Sequence, residues 1–215
     1  MINMKKKIIV DILMFILMLL EFSRGYMKPI FHEIFGIALL ILVILHLILN
    51  RNYFKTLFKG KYNFKKIVML IINAGFMITF VSSMIFGLLS SQDLLKFLNI
   101  GNLRIVELHK ILAYISLILM GLHLGVNFSA MFGKLSNKIK NKIIIYIVDL
   151  IIVIFGIYSF ISLDILKHIT GEFGFSVLKG NIIINILKYF SIVMMLAIIM
   201  NKIYSYKRKE NKNEG

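Results

Sequence analysis

Four histidines stand in two pairs that share one spacing. His32 and His46 are fourteen positions apart, and so are His109 and His123. Residues 32–50, HEIFGIALLILVILHLILN, align without a gap on residues 109–127, HKILAYISLILMGLHLGVN. Gly36 and Ala113 each fall four positions after the first histidine of a pair, and Asn50 and Asn127 four after the second. Over fourteen residues an α-helix rises about 21 Å and comes within roughly 40° of four full turns. Each pair therefore lies on one helix face, with one imidazole towards each end. A basic ring is costly in hydrocarbon and marks a functional position there by default. Four in register point to a held metal.

The helices that must carry these rings are apolar. The chain has 215 residues, 59% of them hydrophobic, one proline and no cysteine, with a mean hydropathy of +0.87. The expected fold is all-α: a polytopic bundle of six transmembrane helices, near Ile8–Phe22, Phe31–Asn50, Ile67–Ser90, Leu103–Phe128, Ile143–Leu163 and Ile182–Met200. Residues 1–215 form a single transmembrane domain, 1–130 holding helices 1–4 and 131–215 adding helices 5–6 as scaffold or docking region. The first segment is short and followed by Glu21-Phe22-Ser23-Arg24 instead of a small-residue cleavage site, so it reads as a retained anchor.

The net charge of +16 is not a nucleic-acid signal, because of where it sits. Lysine and arginine crowd residues 5–7, 51–66, 134–142 and 202–212, while the other connections are poorer in net positive charge. That alternation predicts cytoplasmic N- and C-termini, with attraction to anionic lipid as a compatible, secondary effect. Without cysteine there is no thiol redox, iron–sulfur or disulfide chemistry.

Helices two and four run the same way through the membrane, since one span separates them. His32 then lies level with His109 near the outer side, and His46 with His123 near the inner side. Zinc or copper would want three or four protein ligands. Each level offers two histidines, with Glu33 and Glu107 adjoining only the outer one and no acid expected within a turn of the inner one. A porphyrin supplies four nitrogens and asks for two axial ligands. The expectation is two haem b groups, His32 with His109 and His46 with His123. Gly36, Ala113, Gly121 and Gly125 are candidates for ring clearance, or else for ordinary packing between membrane helices. Asn50 and Asn127 are placed to cap helix ends, with contact to a haem propionate as the alternative. Arg24, Lys28, Arg104 and Lys110 are candidates for outer propionates and Arg51 for inner ones, or are simply solvated.

Elsewhere the signals are fainter. Asn73, Gly75, Thr79, Ser82, Ser83 and Gly87 in the third span either line the core or let helices pack closely. Spans five and six read as free of ionisable residues in their middles. His168 has no partner at matching spacing and is expected to be exposed. No phosphate loop, nucleophile elbow or soluble domain is present.

HEIFGIALLILVILHLILN with RNYFKTLFKGKYNFKK, and later ELHKILAYISLILMGLHLGVN, resemble the flavinylation-associated cytochromes, small bacterial membrane proteins. The resemblance is strongest over residues 8–130, and GIYSFISLDILKHIT is similar to the family's later region. The paired histidines on two parallel helices are also similar to the arrangement in cytochrome b. The resemblance implies that His32, His46, His109 and His123 are haem ligands. It also implies that electrons cross the membrane to an extracytoplasmic flavoprotein from a quinone or a cytoplasmic-side donor. An electron-carrier subunit fits better than a self-contained oxidoreductase. The alternatives are a ferric-reductase-like or quinol-oxidising subunit, and a metal or proton transporter that uses the histidines without haem.

Overall fold

A computed structural model describes residues 4–57, 59–60, 62–128, 141–172 and 181–213. These form helices and turns, with no strand among the described residues. The helices are α1 (Met4–Phe22), α2 (Pro29–Leu49), α3 (Arg51–Leu57), α4 (Phe64–Leu89), α5 (Leu103–Asn127), α6 (Lys142–Ser162), α7 (Ile165–Thr170) and α8 (Ile182–Asn213). Five of them, α2, α4, α5, α6 and the Ile182–Ser205 part of α8, are long and apolar enough to cross a membrane. Large apolar side chains stand outward on them, among them Ile41 at 55%, Ile78 at 65% and Ile151 at 60% exposure. Water would penalise such a surface, whereas lipid would not. The α1 helix falls outside this set. It has 19 residues, and Lys5, Lys6, Lys7, Asp11 and Glu21 interrupt its apolar run.

Local sequence sets the helix ends. Pro29 opens α2 in its first turn, where a missing N–H costs no helical bond. Asn50 closes it: its backbone N–H bonds the His46 carbonyl at 2.9 Å and its side-chain amide the same carbonyl at 3.0 Å. Asn127 does the same on α5, its amide donating to the His123 carbonyl at 2.8 Å. The capping expected of both asparagines is thus seen. Asn141 accepts from the Ile143 N–H at 3.0 Å and starts α6.

The described chain gathers into two compact units. The first comprises α1, α2, α3, the end of α4 from Met84, α5 up to His109, and the first residues of α8. In it α1 packs along α2, burying Met18, Leu19 and Leu39. Ser23 is fully buried at the foot of α1 and accepts from the Asn185 amide at 3.2 Å.

The second unit comprises α4 up to Ser83, α5 from Lys110, α6, α7 and α8 from Leu187. Here small residues let helices close in. A Cβ at Gly121 would lie 2.6 Å from Leu196 Cβ and 2.9 Å from the Val193 carbonyl oxygen. At Gly125 it would lie 2.6 Å from the Ala197 oxygen, and at Gly156 2.6 Å from Met195 Cβ. So α5 and α6 each press a glycine-bearing face on α8, where Ile192, Val193 and Ala197 are fully buried. Hydroxyl pairs satisfy polar groups between helices, Ser191 of α8 with Ser159 of α6 at 3.0 Å and Ser116 of α5 with Thr79 of α4 at 3.0 Å.

Candidate metal centre

His32 sits one turn into α2 and His109 two turns into α5, and both belong to the first unit. Their ring centroids are 6.1 Å apart with planes at 73°. Two imidazoles bound to one iron from opposite sides, at about 2.0–2.1 Å each plus about 1.1 Å from nitrogen to ring centre, would stand roughly 6.3 Å apart. The observed spacing is close to this value, and it is also within the range of an ordinary edge-on ring contact. A cavity of about 60 Å³ adjoins both rings, lined also by Glu21, Gly36, Gly87 and Ser91. A Cβ at Gly87 would meet His109 Cε1 at 3.0 Å and Nδ1 at 3.1 Å, so glycine there leaves the ring its place. At Gly36 the nearest atom to such a carbon is Glu21 Oε2, at 3.8 Å, an ordinary van der Waals contact.

Two carboxylates organise this end. Glu21 Oε2 lies 2.6 Å from His32 Nδ1, an ion-pair distance without the alignment of a linear hydrogen bond. A carboxylate at Nδ1 leaves Nε2 as the nitrogen for a metal, the common arrangement around metal-bound histidine. The other Glu21 oxygen, Oε1, is buried with no hydrogen-bond partner among the described residues. Glu33, next to His32, accepts from Ser91 Oγ at 2.7 Å and from the backbone N–H groups of Gln92, Asp93 and Leu94 at 2.7, 3.1 and 2.7 Å. That clasp ties the start of the α4–α5 connection to α2. Glu107 is exposed.

His46 and His123, the second histidine of each pair, are each held by a polar neighbour. His46 Nδ1 lies 2.7 Å from Asp11 Oδ1, and Asn50 accepts from Lys7 Nζ at 3.0 Å beside it. The expectation of no acid within a turn of the second histidines is thus corrected at His46. The acid comes from α1, thirty-five positions away. In the second unit, His123 Nδ1 lies 2.9 Å from Asn73 Oδ1, which also accepts from the Asn127 amide at 2.9 Å. The Phe76 ring stands 5.2 Å from the His123 ring.

Sequence reasoning missed Asp11 and Glu21. The signal was present: two acids within an otherwise apolar helix demand partners. In the sequence Asn73 and Gly87 stand out only as members of a small-and-polar set. Gly121 and Gly125 do open space, but α8 fills it, so helix packing and not ring clearance uses these two positions. Ala113 is half-buried. Among the described residues no three His, Asp or Glu side chains converge as a metal-binding group. Among these residues the one histidine pair brought together within a unit is His32 with His109.

Two further expectations are corrected. His168 is half-buried on α7, stacked on Tyr114 with centroids 4.2 Å apart and planes at 5°, because α7 folds its ring onto α5. Tyr114 in turn shares a 3.1 Å hydroxyl contact with Tyr189. The later helices also carry charge within their spans: Asp149 on α6 pairs with Lys202 on α8 at 2.8 Å. Comparison with family models, curated proteins and solved structures gives no match.

Proposed function

We propose that the chain is a membrane cytochrome that carries electrons across a bacterial cytoplasmic membrane on two b-type haems. The observation that carries this reading is the His32–His109 pair, two imidazoles 6.1 Å apart on separate helices. The inner haem, between His46 and His123, rests on the repeat of the same spacing. The acceptor is an extracytoplasmic flavoprotein and the donor a quinone or cytoplasmic-side reductant, both on the strength of the family resemblance.

The proposal includes α1 as a sixth span, with both termini cytoplasmic. Asp11 and Glu21 would be costly there alone, but His46 and His32 meet them, which lowers the cost of burying a charged group. The charge alternation along the sequence supports the orientation.

Bound haem iron supplies one-electron exchange between ferric and ferrous states. The chain does the rest. His32 and His109 would hold one haem and His46 and His123 the other, and ligation by two histidines would favour electron transfer over substrate chemistry. Glu21 and Asp11 orient their imidazoles through Nδ1 and raise ring basicity. Glu33 fixes the α4–α5 connection beside the outer pair, and Gly87 leaves His109 its position. The apolar helices keep water from the path.

A second reading has one observation in its favour. Acid–imidazole pairs at both ends of α2, with Glu21 Oε1 unpartnered, also suit a proton or metal path through a colourless transporter. An absorption spectrum of the purified protein, oxidised and reduced, separates the two. The cytochrome reading expects a reduced b-type α-band and two haems per chain. A haem-to-protein ratio near zero after expression with ample haem sinks it.

A further inference from the structure

In the second unit, α6 and α8 form a groove of about 430 Å³. Tyr146, Asp149, Leu150 and Val153 line it from α6, at helical spacings of three, one and three, and Ile198 and Lys202 from α8. The polar groups gather at one end. Asp149 Oδ2 meets Lys202 Nζ at 2.8 Å, and that ammonium stands 5.7 Å from the Tyr146 ring centre. Val153 and Ile198 lie further from the Lys142 end of α6 and the Ser205 end of the α8 span, so the groove turns apolar towards the middle of both helices. One polar end and one apolar end suit an amphiphile lying along the helices.

Charge decides which amphiphile. Lys202 keeps 53% of its side chain exposed, against 21% for Asp149. An ammonium has three donors, and Asp149 needs only one. Lys142, exposed at the start of α6, adds a second cation one turn before Tyr146. Lys202 and Lys142 against the single carboxylate of Asp149 leave this end net cationic, which favours an anionic headgroup. The geometry points to a site for one anionic phospholipid, its phosphate on Lys202 and one acyl chain along Leu150, Val153 and Ile198. This rests on the membrane location of α6 and α8 and not on the haem reading.

The test uses the full chain in a neutral detergent, with phosphatidylglycerol or phosphatidylcholine added. Native mass spectrometry counts bound lipid and thermal unfolding reports stabilisation. The expected result is one retained phosphatidylglycerol per chain, a higher Tm, and binding about tenfold tighter than for phosphatidylcholine, the effect of one hydrogen bond to a charged group. Lys202→Arg should keep the preference. Lys202→Gln leaves Asp149 unpaired and is prone to misfold, so Asp149→Asn with Lys202→Gln is the second variant, and it should lose the preference while remaining folded. Val153→Trp should weaken both lipids by filling the chain's track. Equal binding of the two lipids by the native protein overturns the proposal, as does a preference that survives the double variant. Displacement of phosphatidylglycerol by a quinone, or closure of the groove by a second copy of the chain, overturns it too.

Discussion

His46 Nδ1 and Asp11 Oδ1 are 2.7 Å apart, joining α2 to a helix that begins and ends well before it in the chain. One turn from each end of α2, then, a histidine meets an acid of α1, since Glu21 stands equally close to His32. The two helices are antiparallel neighbours, and the pairs fix their register. A slide by one turn would break both at once.

Losing that register at one point should show in cofactor retention. Asp11→Asn removes the charge that orients His46 and should lower haem affinity at one of two sites by about 10–100-fold, the usual range for a partner of a ligating histidine. Glu21→Gln should do the same at the other site. The measurement is haem per chain against added haem; two sites unmoved by both variants would detach α1 from the function.

The histidines should act as two units. His32→Ala and His109→Ala should each lose one and the same haem, with the double variant little worse than either, as for residues sharing one interaction. His32→Ala with His46→Ala should lose both, and His168→Ala should leave the spectrum unchanged. If His32→Ala and His123→Ala deleted the same haem, helices α2 and α5 would have to run in opposite directions.

Orientation is open to labelling, made simple by a chain without cysteine. Single cysteines within 51–57 should react only from the cytoplasmic side, and those within 164–172 only from outside. The reverse pattern would invert the outer and inner assignments.

Packing against α8 should tolerate little. Gly125→Val puts methyl groups where the Ala197 oxygen and Met200 Cβ already stand, and overpacking of this kind costs about 1–3 kcal/mol. Gly36→Ala, whose added carbon would make only an ordinary 3.8 Å contact with Glu21 Oε2, should change stability far less. Denaturation in detergent compares them.

The stack on Tyr114 carries a pH signature. Burial holds the His168 pKa below its ordinary 6.5, with Lys110 pushing the same way and Asp164 opposing. The unfolded chain then takes up a proton more readily than the folded one, so stability present above pH 6.5 is lost as pH falls below it. Thermal unfolding between pH 8 and 5 should show the loss, and His168→Gln should flatten it.

The sequence by itself determined what a single helix can determine. The fourteen-residue spacing, the asparagine caps and the apolar spans are local, because helix geometry converts position directly into face and height. Which helices would lie against those faces was settled only in three dimensions. The notches at Gly121 and Gly125 look the same in sequence whether a ring or a helix fills them; α8 does. Asp11 and Glu21 gave no sign of their partners, since the contacts with His46 and His32 depend on how α1 packs and not on sequence distance. Glu33 looked like a second acid near a ligand, yet four donors of the α4–α5 connection claim its carboxylate. A side chain's type limits its chemistry, but its partner is chosen by packing that buries apolar area across the whole unit and carries the polar groups with it.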